Sequence, residues 1–193
     1  MLLHEGELIL AVFHSASGGR TASAGEVWGE SLPYLPSQNV EGEEDSPYTY
    51  WRAVISGPKL ARALVPLGLS AGALRKVRVV ERSASGRARR VWVDGAGGEG
   101  SLSARDLRRA LGASVIRSTL FDVREEGGDF IFAGSGHGHG VGMSQWGARG
   151  MARRGASYRE ILAAFYPGTE LHKLGVHASA REGKAARSER ARE

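Results

Sequence analysis

Short apolar runs, separated by clusters of glycine, proline and polar residues, follow one another along the chain and predict short strands and short helices. A buried strand is predicted over Leu8–Phe13, and alternating apolar positions predict two more over Val77–Glu81 and Val91–Asp94. The segments Thr119–Arg124 and Asp129–Ala133 flank a Glu-Gly-Gly turn, which is typical of a β-hairpin.

Capping signals predict four short helices. In two of them a serine is followed three residues later by an acidic residue, which is the spacing of a capping box. The predicted helices run from Pro58 to Val65, from Ser103 to Gly112, from Ser144 to Met151 and from Ser157 to the residue before Pro167.

These elements predict a single α+β domain over residues 1–175, with short strands and short helices around two glycine-rich loops that form a groove. The loops have the sequences HSASGGRT and GSGHGHGVG, and each follows a predicted strand. Between them, residues 25–50 are too rich in turn-forming residues for a regular element and predict a long surface loop. Residues 178–193 carry no core-forming side chain, and the C-terminal segment 176–193 is expected to be a basic, disordered tail.

The amino-acid composition limits the classes of protein to which this chain can belong. With 193 residues, of which 41% are hydrophobic and 24% charged, the chain has room for one ordinary folded domain. It contains no cysteine, which excludes disulfides, thiolate zinc sites and a cysteine nucleophile. The first apolar stretch is too short to cross a bilayer, and acidic residues stand where a signal peptide has basic ones, so neither a membrane span nor a signal peptide is expected.

Charge is divided unevenly along the chain. Residues 1–57 hold two basic and eight acidic side chains, whereas residues 75–90 hold seven basic side chains and one acidic. A nucleic acid or another anionic polymer is one partner that such a stretch suggests. The arginines alternate with valines, however, which is more typical of the solvated face of a sheet, so no nucleic-acid partner is expected.

The histidines of the two loops are the residues most open to a chemical interpretation. His137 and His139 are two residues apart, so an extended chain places both on one side, with His14 as the third ligand of a conceivable metal site. No carboxylate nearby completes that site, and structural hydrogen bonds or ligand contacts are the more usual use of such histidines. The serines near His14 lack the elbow motif of a serine hydrolase, and the second loop lacks the GK[ST] ending of a phosphate loop. No metal or other cofactor is therefore expected.

Aromatic residues near these loops are candidates for stacking on sugar rings, with core packing as the alternative. They are Trp28, Tyr34, Tyr48, Tyr50, Trp51, Trp146 and Tyr166.

Several motifs in a fixed order carry a family resemblance. HSASGGRT comes first, LRRALG follows, and GHGVGMSQWGARGMA, YREIL and FYPGT come last. Over about residues 8 to 171, the chain resembles the stage II sporulation protein D family, also called the SpoIID/LytB domain. The resemblance implies a place outside the cytoplasm, in the cell envelope. There it implies action as a lytic transglycosylase on peptidoglycan glycan strands that have lost their stem peptides, together with other cell-wall remodelling proteins.

In lytic transglycosylase chemistry one carboxylic acid protonates the glycosidic oxygen, and its conjugate base takes a proton from the muramic acid C6 hydroxyl, which closes a 1,6-anhydro ring. The family's catalytic glutamate lies in an N-terminal E-M-P segment that this sequence does not contain. We therefore expect the chain to lack that catalytic segment and to be inactive alone. A non-catalytic glycan-binding or regulatory module is the alternative. Glu26, followed by Glu30 and Asp45, is the candidate for an acid within the chain.

The resemblance and the aromatic positions together define the expected substrate contacts. The resemblance supports a substrate contact by His137 less strongly than the others, because its position is commonly aromatic in the family. The expected contacts are His14, Ser15, Ser17, Gly18, Gly19, Thr21, Trp51, His137, His139, Gly140, Ser144, Gln145, Trp146 and Tyr166.

Overall fold

Small β-sheets and short helices make up residues 1–173, the part of the chain that the computed structural model describes. The strands are β1 (Leu2–His4), β2 (Glu7–Leu8), β3 (Phe13–His14), β4 (Trp51–Ser56), β5 (Leu74–Arg82), β6 (Ala88–Gly95), β7 (Gly98–Ser103), β8 (Phe121–Glu126), β9 (Asp129–Gly134), β10 (Met143–Ser144) and β11 (Glu170–Leu171). The helices are α1 (Ala24–Trp28), α2 (Gly57–Leu64), α3 (Ala104–Leu111), α4 (Gln145–Arg153) and α5 (Tyr158–Phe165), and a 3₁₀ turn spans Val65–Leu67. The predicted α+β class is confirmed, and the predicted tail at 176–193 lies outside the described residues.

Two three-stranded antiparallel sheets carry most of the regular structure. One has the order β4-β9-β8 and the other β5-β6-β7. Within the first, β8 and β9 form the predicted hairpin around Gly127 and Gly128, both of which have positive φ. The sequence did not predict β7, because its GEGSLS sequence lacks the β-branched and aromatic residues that favour strands.

Helices α2 and α3 cover these sheets and close a sheet core. Helix α3 begins where the Ser103 side chain accepts hydrogen bonds from the backbone N–H groups of Arg105 and Asp106, and it ends at Gly112, as predicted. Its buried side chains, Leu107 and Leu111, join a cluster whose other members include Ile55, Leu60, Leu64, Val91, Val93, Phe121, Phe130 and Phe132.

A second cluster, the loop core, lies among irregular segments and the terminal helices. Helix α4 begins at Ser144, and α5 begins with the complete capping box of Ser157 and Glu160. The sheet β11-β1-β2 and the parallel pair β3 and β10 complete this half of the domain. The buried members of the loop core are Ala22, Ala24, Leu35, Val40, Val141, Phe165 and Tyr166.

The prediction of a buried strand over Leu8–Phe13 is wrong. Only the ends of this segment pair with other strands, where Leu8 lies opposite Leu3 and Phe13 opposite Met143. Between them the backbone N–H groups of Ala11 and Val12 donate to carbonyls two residues back, so the chain turns instead of extending. Leu8, Leu10 and Phe13 are consequently exposed.

Residues 25–50 also differ from the predicted surface loop. They begin within helix α1, whose N-cap Ser23 accepts a hydrogen bond from the Glu26 N–H and whose C-cap Gly29 has φ +84°. The rest is irregular but not superficial, because Leu35 and Glu43 are buried. Glu26 therefore lies on a helix rather than on a loop.

None of the helices in residues 1–173 is long and apolar enough to cross a membrane, and the longest, α4, has nine residues.

Candidate functional site

The two glycine-rich loops lie side by side. The first loop is residues 14–21 and the second is residues 134–142. Ala16 and His137 exchange two backbone hydrogen bonds, of 3.2 and 2.8 Å, and Ala22 forms a parallel bridge to Val141. The parallel pairing of β3 with β10 continues this contact. The structure thus brings together the two loops from which the sequence predicted a groove.

Glu43 holds these loops together, and sequence reasoning missed it. It is 6% exposed. Its carboxylate accepts from the Ser17 N–H at 2.7 Å and hydroxyl at 2.8 Å, from the N–H groups of Gly18 at 2.9 Å and Gly19 at 3.0 Å, and from the Ser144 hydroxyl. Burial by itself raises the pKa of Glu43, but these hydrogen bonds outweigh it and hold that pKa below its ordinary value. Glu43 is therefore a structural carboxylate that stays ionised.

Glu43 was missed because it lies in the acidic run GEED, which in a sequence is typical of a solvated segment. A signal was present in the first loop. Its SGG sequence supplies several backbone N–H groups and, once folded inward, requires an acceptor that the loop itself does not contain.

His14 is a buried, neutral part of the first loop. It is 4% exposed, and burial lowers its pKa to about 4. Its Nδ1 lies 3.0 Å from the carbonyl oxygen of Val141, to which it donates as a neutral ring. A Cβ at Gly138 would lie 2.8 Å from the His14 Cβ, so the second loop passes directly over this side chain.

His139 is fixed in one tautomer by its two hydrogen bonds. Its Nδ1 accepts from the Val141 N–H at 3.1 Å, so Nε2 carries the hydrogen and donates to the carbonyl of Phe13 at 3.0 Å. Burial lowers the pKa of His139, which favours the same neutral form. The indole of Trp28 packs on this ring, with 5.5 Å between ring centroids.

The ring of His137 contacts a different part of the protein from the rings of His14 and His139. Its ring packs edge-on against Tyr48, with 4.5 Å between centroids, and burial lowers its pKa. His137 thus lies apart from His14 and His139, whose ring centroids are 5.6 Å apart and which both form hydrogen bonds to the Val141 backbone. Across residues 1–173 the structure contains no group of three His, Cys, Asp or Glu side chains placed to hold a metal ion.

The remaining loop residues with expected substrate contacts are engaged within the protein or lie at the start of α4. The Thr21 hydroxyl accepts from the Gln38 N–H at 2.9 Å, and the carbonyl of Ser15 accepts from the Trp146 N–H at 3.0 Å. Gln145 is exposed, and Trp146 lies under the guanidinium of Arg149 at 4.6 Å.

Trp51 and Tyr166 lie in the two cores. Trp51 is 7% exposed and packs edge-on against Phe121. Tyr166 is 2% exposed, and its hydroxyl donates to the carbonyl of Val12 at 2.7 Å. Core packing, the alternative interpretation of these aromatic residues, therefore describes both positions, although an edge of Trp51 also lines a groove at the end of its sheet.

A cleft of about 380 Å³ opens beside the second loop. One wall consists of Trp28 and His139, and the other consists of residues from β5, β6 and α3. Glu26 lies in this cleft and accepts from the backbone N–H and the hydroxyl of Ser85. The cleft is lined by Glu26, Val27, Trp28, Glu81, Ser83, Arg87, Ala88, Arg89, Arg90, Ser103, Arg105, Arg108, Thr119, Gly138 and His139.

Arg87 connects the cleft to the first loop. It is 4% exposed, and its guanidinium donates to the carbonyls of Arg20 at 3.0 Å and Ser17 at 2.8 Å. Burial lowers its pKa to about 10, which leaves it cationic at neutral pH. Gly140 packs against this guanidinium, and a Cβ there would lie 2.4 Å from an Arg87 nitrogen. Position 140 thus requires glycine for two reasons: the Arg87 guanidinium leaves no room for a Cβ, and the backbone φ is +84°.

The other candidate acids lie outside the cleft. Asp45 is exposed and forms ion pairs with Arg149 and Arg153 on α4, and Glu30 is exposed. Of the three candidate acids predicted from the sequence, Glu26 is the one that lines the cleft.

A larger groove of about 560 Å³ lies at one end of the β4-β9-β8 sheet. Its lining includes Tyr50, which is 85% exposed, and Arg82, whose side chain is paired with Asp122. No histidine of the two loops lines this groove. We therefore assign the candidate site to the smaller cleft.

Comparison with known proteins agrees with the motifs. A family model described as a domain of unknown function, DUF8618, matches residues 25–142. The chain is 30% identical to an uncharacterized protein of Brachyspira hyodysenteriae over 88% of this chain and 45% of that protein. It is 32% identical to stage II sporulation protein D of Bacillus amyloliquefaciens over 89% of this chain and 47% of that protein. It is 28% identical to the amidase enhancer of Bacillus subtilis over 89% of this chain and 31% of that protein.

The chain spans less than half the length of these relatives. The predicted resemblance is confirmed, since the matches include proteins named stage II sporulation protein D and amidase enhancer. The chain belongs to the family described as DUF8618 and is homologous to the SpoIID/LytB proteins.

Proposed function

We propose that this domain binds the glycan strand of peptidoglycan in the cleft beside the second loop, as part of a protein that remodels the cell wall. The observation that carries the proposal is the pair formed by Trp28 and His139. Trp28 is 41% exposed and packs on a neutral, fixed imidazole at the wall of the cleft. A flat aromatic surface beside polar groups is suited to a sugar ring, because the ring's C–H face packs on the indole while its hydroxyls form hydrogen bonds.

The names of the relatives support this proposal. Stage II sporulation protein D and amidase enhancer are names that concern sporulation and the enhancement of an amidase. By homology we propose the same setting here, outside the cytoplasm and in the cell envelope, with peptidoglycan glycan strands as the ligand and other wall-remodelling proteins as partners.

Cleavage of the strand is a second candidate function, and the position of Glu26 in the cleft favours it. In its protonated form Glu26 would donate to the glycosidic oxygen as the C1–O bond breaks. Its carboxylate would then take the proton of the C6 hydroxyl, whose oxygen bonds to C1 and closes the 1,6-anhydro ring. Glu43 does not suit this role, because hydrogen bonds occupy its buried carboxylate and hold its pKa down.

Binding is tested with the Trp28→Ala variant and peptide-free glycan strands. Loss of the indole surface should weaken binding about tenfold, since stacking on an exposed aromatic ring contributes about 1–2 kcal/mol. The melting temperature should fall only modestly, because the indole is 41% exposed and its packing partner His139 keeps both of its hydrogen bonds. Tyr50→Ala is the matched control, since it removes an exposed aromatic ring from the larger groove. Weaker binding in Tyr50→Ala with unchanged binding in Trp28→Ala would move the site to that groove.

Cleavage is tested by looking for anhydromuramyl ends after incubation with the same strands. We expect the chain to bind the strands without cleaving them. Product that falls about 100-fold in Glu26→Gln, with binding retained, would establish the second candidate instead. Glu30→Gln is the control, because Glu30 is an exposed acid near the same helix but outside the cleft.

A further inference from the structure

Three arginines of the cleft have no carboxylate partner within residues 1–173. Arg87, Arg105 and Arg108 donate to backbone carbonyls instead. Their neighbours differ, because Arg89 and Arg90 pair with Glu81, and Arg109 pairs with Asp106. The three residues, here called the arginine triad, therefore bring positive charge to the cleft, and only at Arg87 do nearby carboxylates, Glu26 and Glu43, offset part of it without a direct ion pair.

Backbone contacts hold the guanidiniums of the triad in place without neutralising them. Arg105 donates to the carbonyl of Val27 at 3.1 Å, and Arg108 donates to that of Arg117 at 3.0 Å. The Nε atoms of Arg87 and Arg108 are buried and have no hydrogen-bond partner in the described residues. Each guanidinium has five N–H donors, so the exposed Arg105 and the half-buried Arg108 keep terminal N–H groups for a ligand, whereas the buried Arg87 contributes its charge. The arrangement is that of preorganised cationic groups around a space that a ligand can enter.

We propose that the arginine triad recognises a carboxylate on the ligand. Guanidinium groups bind carboxylates through paired, charge-assisted hydrogen bonds, and a partly buried site strengthens them. This inference rests on the proposed function, in which the ligand is a glycan strand. The carboxylate is then the lactyl group of muramic acid, which is ionised only where the stem peptide has been removed, because attachment of the peptide converts that carboxylate into an uncharged amide.

The acids of the cleft favour a sparsely charged ligand over a polyphosphate. Glu26 and Glu81 line the same cleft, and the charge of Glu26 acts on the guanidinium of Arg87. A strand with phosphates at every residue would place some of them against these carboxylates. A glycan with one carboxylate per disaccharide, and hydroxyls between, can place its charge at the triad alone.

The test compares peptide-free glycan strands with the same strands after chemical reduction of the lactyl carboxylate to an alcohol. We expect the chain to bind the unreduced strands about tenfold more tightly. Arg105→Gln and Arg108→Gln should each remove most of this preference, because they weaken binding of the unreduced strands more than binding of the reduced strands. Arg109 lies on the same helix but pairs with Asp106, so the Arg109→Gln variant should keep the full preference for unreduced strands. Thermal melts of each variant establish that it is folded.

Each other outcome overturns a stated part of the inference. Equal affinity for reduced and unreduced strands would refute carboxylate recognition while leaving glycan binding in place. Absence of binding to either strand by the folded chain would refute the proposed function and the inference with it. Tighter binding to a DNA oligonucleotide than to the glycan, with steep weakening by salt, would assign the triad to nucleic acid.

Discussion

The two glycine-rich loops have similar compositions but use their polar groups in opposite ways. In the first loop, the N–H groups of Ser17, Gly18 and Gly19 all point at Glu43, and His14 is buried. In the second loop, His139 is only partly buried and packs on Trp28 at the cleft. The first loop is therefore a support, and the second presents a surface.

This difference shows why a run of serine, glycine and histidine does not by itself identify a site. The residue types are the same, and what separates the loops is a partner far away in the sequence: a buried carboxylate for one and an exposed indole for the other. Variants of the two loops should accordingly affect different quantities, stability for the first and binding for the second.

The largest effect is expected for Glu43→Gln. The amide keeps the shape of the side chain but removes its charge, and it places an NH₂ group against N–H and hydroxyl donors. We expect a loss of about 3–4 kcal/mol in the free energy of unfolding, measured by chemical denaturation. The control is Glu41→Gln, an exposed acid two residues away, which should change stability by less than about 0.5 kcal/mol. A stable Glu43→Gln protein would contradict the supporting role of this carboxylate.

The next effect is a pH dependence that originates in His14. Burial lowers its folded pKa to about 4, below its unfolded value of 6.5, so between these values the unfolded chain binds a proton that the folded chain does not. The free energy of unfolding should therefore fall by up to about 3 kcal/mol as the pH decreases from 6.5 to 4. His139 acts in the same direction, since its pKa is also lowered. Denaturation of His14→Gln across this range should show a much shallower slope, and an unchanged slope would exclude His14 as its source.

A smaller effect should distinguish two glycines with similar backbones. Gly140 and Gly19 have φ of +84° and +93°, so alanine is strained at both. At Gly19 nothing lies within 4 Å of the new Cβ, and we expect a loss of about 1 kcal/mol. At Gly140 the Cβ meets the buried guanidinium of Arg87, which two carbonyls hold, and we expect about 2 kcal/mol or more. Equal losses in thermal denaturation would mean that Arg87 moves aside at no cost.

Local signals in the sequence predicted the regular half of the fold. Helix α3 and the hairpin of β8 and β9 follow from Ser103, Gly112 and the Glu-Gly-Gly turn, all of which act within a few residues. Local patterns also predicted β5, β6 and α2 of the sheet core, whereas β4 and β7 were not predicted. The segment Leu8–Phe13 has an equally apolar pattern, but it turns between a local pairing of Leu8 with Leu3 and a pairing of Phe13 with the distant Met143, which the pattern does not encode.

The candidate site was predicted only in part, for the same reason. The sequence indicated that the two loops adjoin and that His139 and Glu26 deserve a test. It gave no reason to choose Glu43 over its four acidic or glycine neighbours, nor to separate Trp28 from the buried Trp51. The triad was also hidden, because Arg87 and Arg105 are eighteen positions apart and differ from adjacent arginines only in lacking an acidic partner.

The parallel pairing of β3 with β10 has a consequence for the order in which the domain folds. Phe13 and Met143 pair although most of the described chain lies between them in sequence. The hairpins of the sheet core, in contrast, pair strands that follow each other directly in sequence. Contacts that close long loops form late, since chain entropy opposes them until other structure is in place. His139 and its hydrogen bond to Phe13 belong to this late junction. The wall of the cleft therefore exists only once both ends of the domain have joined, and hydrogen exchange should find it among the first regions to open.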